Sequence, residues 1–202
     1  RFLHDRVQQA AHELTAESER PALRLRCGRL LLAGSTETEL DERLFVILDS
    51  LNAGLQLIAD PAERARLLQL NLRGGIRAKA SSAYAVAIEL LRKGIALLPA
   101  DAWQVEAQQC LALYKELAEA EYLAGHFEAA EALLTQAIEA APSVVAKVTL
   151  CLVRVDQFHI QGRFGDSFPV LRHALALLGQ DFPETEEEAG ARFPIEFEET
   201  ER

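Results

Sequence analysis

The 202-residue sequence predicts an all-α protein in which antiparallel helix pairs stack side by side. Three observations favour this fold class. One spacing of small, aromatic and apolar residues occurs three times, half of the residues are hydrophobic with many Ala and Leu, and no stretch before residue 181 alternates with the period of a strand. Ala and Leu lose little conformational entropy in helices, so this composition suits a chain that is helical throughout.

The repeated spacing begins at a small residue and ends seventeen residues later at Pro or Gly. An aromatic residue follows the start, and two later small residues let a helix approach its neighbour closely. The three occurrences are Ser82, Tyr84, Ala87, Leu91, Gly94 and Pro99; Gly125, Phe127, Ala130, Leu134, Ala137 and Pro142; and Gly162, Phe164, Ser167, Leu171, Ala174 and Gly179. This order resembles the tetratricopeptide repeat, a helix–turn–helix unit of about 34 residues. The resemblance implies a tetratricopeptide-like right-handed superhelix, or α-solenoid, with turns at the first residue of each set.

Residues 1–60 are predicted to form N-terminal helices that precede the repeats. The predicted helices span 3–15, 19–33 and 38–58. Ser18 is expected to cap the second of them. Thr36 and Glu39 have the spacing of a capping box, which predicts the start of the third.

Residues 61–180 are predicted to form three tetratricopeptide-like helix pairs. The pairs span 61–79 with 83–98, 102–124 with 127–140, and 143–161 with 164–178. Asp60 before Pro61 supplies a carboxylate cap and a proline at the first helical position, and Asp101 is expected to cap the helix that follows it. All links within the pairs are short, as antiparallel neighbours require.

Residues 181–202 are acidic: nine carboxylates against two arginines place −7 of the net charge of −10 there. Such a segment is expected to be disordered. The rest of the chain is near neutral and has no basic stripe, so we expect no nucleic-acid partner. The sequence has no apolar run of about 18 residues and no secretory signal pattern, which predicts no membrane contact and a cytoplasmic location.

The sequence contains no motif for catalysis, a cofactor or a metal. The run from Gly74 to Ser81 includes a Lys but lacks the glycine that precedes it in a phosphate-binding loop. Cys27, Cys110 and Cys151 lie in apolar helical patterns, so we expect three buried free thiols. Six glutamates along the helices are expected on solvated faces: Glu106, Glu116, Glu119, Glu121, Glu128 and Glu131. We predict no enzyme activity, no cofactor and no metal site.

Several short runs resemble one group of multidomain proteins. These runs are Phe2 to Ala11, Gly28 to Leu32, Leu51 to Gly54, Leu70 to Leu72, and Ala78 to Ser81 followed by Ala83 and Tyr84. Together they resemble the helical region that follows the ATPase module in large bacterial signalling proteins. Those proteins combine a serine/threonine-kinase-like domain, a signal-transduction AAA-type ATPase with a winged-helix element, tetratricopeptide-like helices, often a GAF domain, and a histidine kinase. The resemblance covers residues 2–180.

The resemblance implies that residues 2–15 are the last helix of the winged-helix element. It also implies a non-enzymatic interaction and sensor module that couples the ATPase to kinase output in a two-component system. The chain contains no Met and starts in mid-pattern, so we expect it to be part of a longer polypeptide. The resemblance implies that this longer polypeptide is an ATP-dependent kinase. The alternative is a free-standing tetratricopeptide adaptor, or peptide-binding scaffold, unconnected to an ATPase.

The first helix of each predicted pair is expected to line a concave groove. The predicted partner contacts are Gln69, Lys79, Lys115, Glu119, Tyr122, Asp156 and His159. The partner would be a neighbouring domain of the same polypeptide or a separate protein or peptide. Tyr122 is the best anchor candidate because it offers a large apolar area with a polar tip. Two alternatives remain: a surface that binds nothing specific, and an ion pair between Lys115 and Glu119.

Overall fold

The structure is a computed structural model that describes residues 16–183, 185, 187–188 and 190–191. All regular secondary structure in these ranges is helical, which confirms the predicted all-α fold class. The helices are α1 (Arg20–Ala33), α2 (Glu37–Asn52), α3 (Pro61–Ala80), α4 (Tyr84–Leu97), α5 (Ala102–Val105), α6 (Ala107–Leu123), α7 (Phe127–Ala140), α8 (Val144–Ile160) and α9 (Phe164–Leu177). The predicted helix over 3–15 and the end of the acidic tail lie outside the described residues.

The chain forms two compact units, residues 1–130 and residues 131–202, and the division falls inside α7. In the first unit α1 packs on α2, α2 on α3, and α3 on α4. Helix α6 packs on both α3 and α4. In the second unit α8 packs on α9. The boundaries expected at residues 60 and 180 stay predictions.

Two of the expected helix starts follow from side-chain caps that lie next to them in sequence. The Glu39 backbone N–H donates to Thr36 Oγ1 at 3.3 Å, and the Thr36 N–H donates to the Glu39 carboxylate at 2.9 Å. This reciprocal pair is the predicted capping box. The Asp60 carboxylate accepts from the N–H groups of Ala62 and Glu63 at 3.4 and 3.1 Å, and α3 begins there. Both starts are confirmed.

The three predicted turns share one backbone conformation. Ser82, Gly125 and Gly162 have φ values of 59°, 84° and 71°, in the left-handed region. At each turn the N–H of the next residue donates to the carbonyl five residues back, at 2.9, 2.9 and 2.8 Å. This bond defines the Schellman motif that satisfies the last carbonyls of a helix. Gly179, with φ 74°, ends α9 in the same way.

The small residues of the repeated spacing are buried, as predicted. Ala87, Ala130 and Ala137 are fully buried, and Ala174 is 4 % exposed. The paired glycines of α3 have a packing role of the same kind. A Cβ on Gly74 would lie 2.5 Å from a methyl carbon of Leu48 on α2, and one on Gly75 would lie 2.5 Å from Leu91 on α4. These glycines therefore allow α3 to fit between its two neighbours.

Two long predicted helices are shorter in the structure. The helix expected over 38–58 ends at Asn52. Just beyond its end, Gly54 lies so close to α1 that a Cβ there would approach Leu25 to 2.6 Å. The helix expected over 102–124 is broken at Glu106, whose φ and ψ are −131° and 37°. The short α5 before the break is held beside α6 by a ring contact of Trp103 with Tyr114 at 5.5 Å.

Two predicted side-chain caps are wrong. Ser18 does not cap α1, since Glu19 occupies the capping position and makes no side-chain bond to the helix. Asp101 occupies the capping position of α5 but its side chain accepts no hydrogen bond from the first turn.

The prediction that all three thiols are buried is also wrong, because Cys27 is exposed while Cys110 and Cys151 are buried.

Candidate interaction surface

A charged cluster joins α3 to α6 in the first unit. Lys79, near the end of α3, has its Nζ 2.7 Å from Glu116 Oε2 and also pairs with Glu119. Lys115 Nζ lies 3.8 Å from the other oxygen of Glu119. The side chains of Lys79 and Glu116 are each only 16 % exposed. We call these four residues the Lys79 cluster.

The charge of Lys79 is stabilised by its partners. Burial alone would lower the pKa of Lys79. The hydrogen bonds that Lys79 donates to Glu116 and Glu119, together with their negative charges, outweigh this effect, so the pKa of Lys79 is raised above its ordinary value. Lys79 therefore stays protonated at neutral pH. The alternative considered for Lys115 and Glu119, an ion pair with each other, is present, but Glu119 is shared with Lys79.

Two further predicted contacts, Gln69 and Tyr122, lie on the same two helices as the cluster. Gln69 is exposed on α3, and Ile76 on the same helix is 42 % exposed one turn before Lys79. Tyr122, the predicted anchor, is only 8 % exposed, and its ring centroid lies 5.3 Å from that of Phe127. Most of the Tyr122 ring therefore packs inside the first unit.

The last two predicted contacts belong to the second unit. Asp156 and His159 are both exposed on α8. The His159 ring lies 5.4 Å from the Phe164 ring, and its Nε2 lies 3.1 Å from Ser167 Oγ on α9. The structure thus places Lys79, Lys115 and Glu119 in one cluster of the first unit, whereas Asp156 and His159 belong to the second unit.

A groove of about 600 Å³ in the second unit was not predicted. Its wall includes Glu131, whose carboxylate lies 2.8 Å from Arg163 Nη1 and 3.7 Å from Arg154 Nη2. Both guanidinium groups lie over the ring of Phe158, at 4.6 Å for Arg163 and 5.6 Å for Arg154. The hydrogen bonds that the Arg163 guanidinium donates to Asp166 and Glu131 raise the pKa of Arg163. Sequence reasoning missed this network because its members are far apart along the chain.

Glu121 is a buried carboxylate, and its predicted place on a solvated face is wrong. Its side chain is 0 % exposed, and it lies 2.6 Å from Arg92 Nη2 and 2.7 Å from His126 Nδ1. Buried charges persist in proteins when they are paired in this way. The interaction links α6 to α4 and to the turn that follows α6. Arg92 is 29 residues away in sequence, which explains why pattern analysis did not reveal it.

The described residues contain no group of three or more His, Cys, Asp or Glu side chains arranged to hold a metal ion. Within the same ranges, none of the helices is both apolar and long enough to cross a bilayer. Burial raises the pKa of the Cys110 thiol to about 11, and it also raises the pKa of Cys151. Both thiols are therefore protonated and unreactive at neutral pH.

Comparison with known proteins gives one similarity that bears on function. The chain is 26 % identical over 189 residues to "Hybrid signal transduction histidine kinase G" from Dictyostelium discoideum. The match covers 82 % of this chain and 6 % of that protein. This similarity supports a signal-transduction kinase context. No family model and no solved structure matches the chain.

The similarity agrees with part of the expected family. The histidine kinase context, which the short sequence runs implied, is supported, whereas the tetratricopeptide assignment and the AAA-type ATPase stay predictions. The bacterial source also stays a prediction, since the matched protein comes from Dictyostelium. The chain spans a small part of that relative, so the relative's overall activity is not transferred to it.

Proposed function

We propose that this chain is a helical interaction and sensor module of a signal-transduction histidine kinase. It would act without catalysis of its own, by coupling an ATPase domain to kinase output through protein–protein contacts. The observation that carries this proposal is the similarity to a hybrid histidine kinase over 82 % of the chain. The module would work in the cytoplasm, with polypeptide partners and without nucleic acid or membrane.

We propose further that the helix pairs stack as a tetratricopeptide-like solenoid. Three features support this arrangement: the shared left-handed turns, the buried small residues of each second helix, and the packing of α6 on both helices of the preceding pair. Repeats of this kind present an extended surface made by the first helix of each pair. Helices α3 and α6 are two such first helices, and they pack on each other.

The proposed contact surface in the first unit is centred on Ile76 and the Lys79 cluster. Ile76 offers an exposed apolar side chain one turn before Lys79 on α3, and the Lys79 cluster offers charges of both signs. An apolar centre with charged groups around it is the usual composition of a polypeptide-binding site. Tyr122 would contribute its edge, since its ring is largely buried.

The proposal is tested by measuring the affinity of this chain for the ATPase and kinase domains of its parent polypeptide, each expressed separately. Ile76→Asp should weaken the binding at least about tenfold, as expected for a central contact. Val86→Asp is the matched control, because Val86 is 43 % exposed on α4 and Ile76 is 42 % exposed on α3. Equal affinities for the two variants, or no binding by the wild type, would contradict the proposal.

The absence of catalysis is tested separately. Calorimetric titration of the chain with Mg-ATP should give no saturable heat. Saturable binding that is lost in Lys79→Ala would instead assign a nucleotide site to the Lys79 cluster.

A further inference from the structure

The groove of the second unit is lined by residues of α7, α8 and α9. Its volume of about 600 Å³ lies within the range of pockets that hold small organic ligands. Apolar side chains form much of the lining: Ile138 on α7, Cys151 and Phe158 on α8, and Pro169 and Val170 on α9. The groove can therefore hold an apolar molecule, and its charged groups determine which charge that molecule carries.

Arg154 of α8 is positioned within this lining by two contacts. Its guanidinium lies 5.6 Å from the centroid of the Phe158 ring, and its Nη1 donates a hydrogen bond to Thr135 Oγ1 at 3.2 Å. The Arg154 side chain is only 24 % exposed. A guanidinium placed in this way is pre-organised, so it loses little conformational entropy when it binds an anion.

The charge of Arg154 is incompletely compensated among the described residues. Its Nε is buried and has no hydrogen-bond partner there. The carboxylate of Glu131 lies 3.7 Å from Arg154 Nη2, which is beyond hydrogen-bonding distance. That carboxylate instead accepts a hydrogen bond from Arg163 Nη1 at 2.8 Å. Removing a charged group from water without full hydrogen bonding costs free energy, so a further anion beside Arg154 would stabilise the unit.

The carboxylates around the groove already have donors or face solvent. Asp166 accepts a hydrogen bond from Arg163 Nε at 2.7 Å, and Glu131 accepts one from Arg163 Nη1. Glu139, the third carboxylate of the lining, is exposed on α7, where solvent can hydrate it. The need for a further partner is therefore greater at Arg154 than at any of the three carboxylates. This difference favours an anionic ligand over a cationic one.

We propose that the groove of the second unit is a binding site for a small organic anion. The ligand carries a carboxylate, sulfonate or phosphate group on an apolar body of one or two rings. Its anionic group pairs with Arg154, and its body lies against Phe158, Ile138 and Val170. Arg163 adds a second positive charge, since both guanidinium groups lie over the same ring. The site belongs to the second unit, so it is independent of the contact surface proposed for the first unit.

The test measures the binding of anilinonaphthalene sulfonate to the full chain by fluorescence. Phenylnaphthylamine, which is the same ring system without the sulfonate, is the neutral probe. The sulfonate probe should bind the wild type saturably. Arg154→Met should weaken this binding at least about tenfold, because it removes the charge and keeps an apolar side chain of similar length. The affinity of the same variant for the neutral probe should stay within about twofold of the wild type.

Lys147→Met is the matched control. It removes a positive charge from the same helix, but Lys147 lies outside the lining of the groove. Its affinity for the sulfonate probe should stay within about twofold of the wild type, because salt screens charges that do not contact the ligand. Thermal unfolding of both variants checks that they remain folded.

Competition in the wild-type chain tests the same proposal without a substitution. Benzoate, benzyl alcohol and benzylamine share one ring and differ in charge. Benzoate should displace the sulfonate probe at concentrations at least about fivefold below those of the other two. Equal displacement by benzoate and benzyl alcohol, or displacement by benzylamine at the lowest concentration, would overturn the proposal. So would a wild type that does not bind the sulfonate probe saturably, or binding that Arg154→Met leaves unchanged.

Discussion

At the residue scale, Glu121 is the clearest case of a side chain whose role depends on distant partners. Its fully buried carboxylate links Arg92 on α4 to His126 in the turn after α6. Glu121→Ala should lower the free energy of unfolding by about 2–4 kcal/mol, because it removes a buried charge pair and leaves a cavity. Arg92 and His126 are themselves largely exposed. The loss of unfolding free energy is therefore smaller than for an ion pair whose two side chains are both buried. Urea unfolding measures the change.

Glu128→Ala is the control for this substitution. Glu128 is exposed on α7, so its loss should change stability by no more than about 0.5 kcal/mol. If Glu121→Ala and Glu128→Ala lose similar amounts of unfolding free energy, the ion pairs of Glu121 do not stabilise the fold.

The three cysteines differ in environment, and this difference predicts their reactivity. Cys27 is exposed, whereas Cys110 is buried and has a pKa of about 11. At pH 8 only about one Cys110 thiol in a thousand is ionised, so it cannot act as a nucleophile in the folded state. A thiol reagent should modify one thiol per native chain, and three after unfolding in urea.

Cys27→Ser should abolish the reaction of the native chain. Rapid modification of two or more thiols in the folded wild type would contradict the described burial of Cys110 and Cys151.

At the element scale, the turns at Ser82 and Gly162 should respond in opposite ways to substitution of their left-handed residue. Gly162 has a φ of 71° and no atom near its missing Cβ, so Gly162→Ala should cost about 1 kcal/mol through backbone strain alone. Ser82 adopts a φ of 59° with a side chain present. Ser82→Gly should therefore relieve strain and leave stability unchanged or raised by up to about 1 kcal/mol.

Thermal unfolding of both variants measures these effects. A loss of stability in Ser82→Gly as large as that in Gly162→Ala would show that the turns do not depend on the left-handed conformation.

The helix boundaries show which elements can be predicted from sequence. The starts at Thr36 and Asp60 depend on side chains within three residues of the helix, so the local sequence specifies them. The end of α2 and the break before α6 have no such local signal, and the contacts beside them join residues farther apart in sequence: Gly54 lies against Leu25, and Trp103 lies against Tyr114. Such contacts between distant residues leave no periodic signal in the chain.

At the scale of the whole molecule, the all-α fold class follows from composition and repeated spacing, and the structure confirms it. The candidate surface was only partly predictable. Lys79 and Glu119 were assigned to one face from their repeat positions, but their direct pairing and the part played by Glu116 depend on how α3 packs on α6. The groove around Arg154 and Arg163 depends in the same way on three separate helices.

The central claim is that the chain transmits signals in a histidine kinase through contacts of its helical surface. Autophosphorylation of the full-length parent kinase, measured with Ile76→Asp and with Val86→Asp, tests this claim most directly. The account predicts that Ile76→Asp changes the rate at least about fivefold, as expected for loss of coupling between sites, and that Val86→Asp leaves it within about twofold of the wild type. Equal rates for both variants and the wild type would contradict the claim.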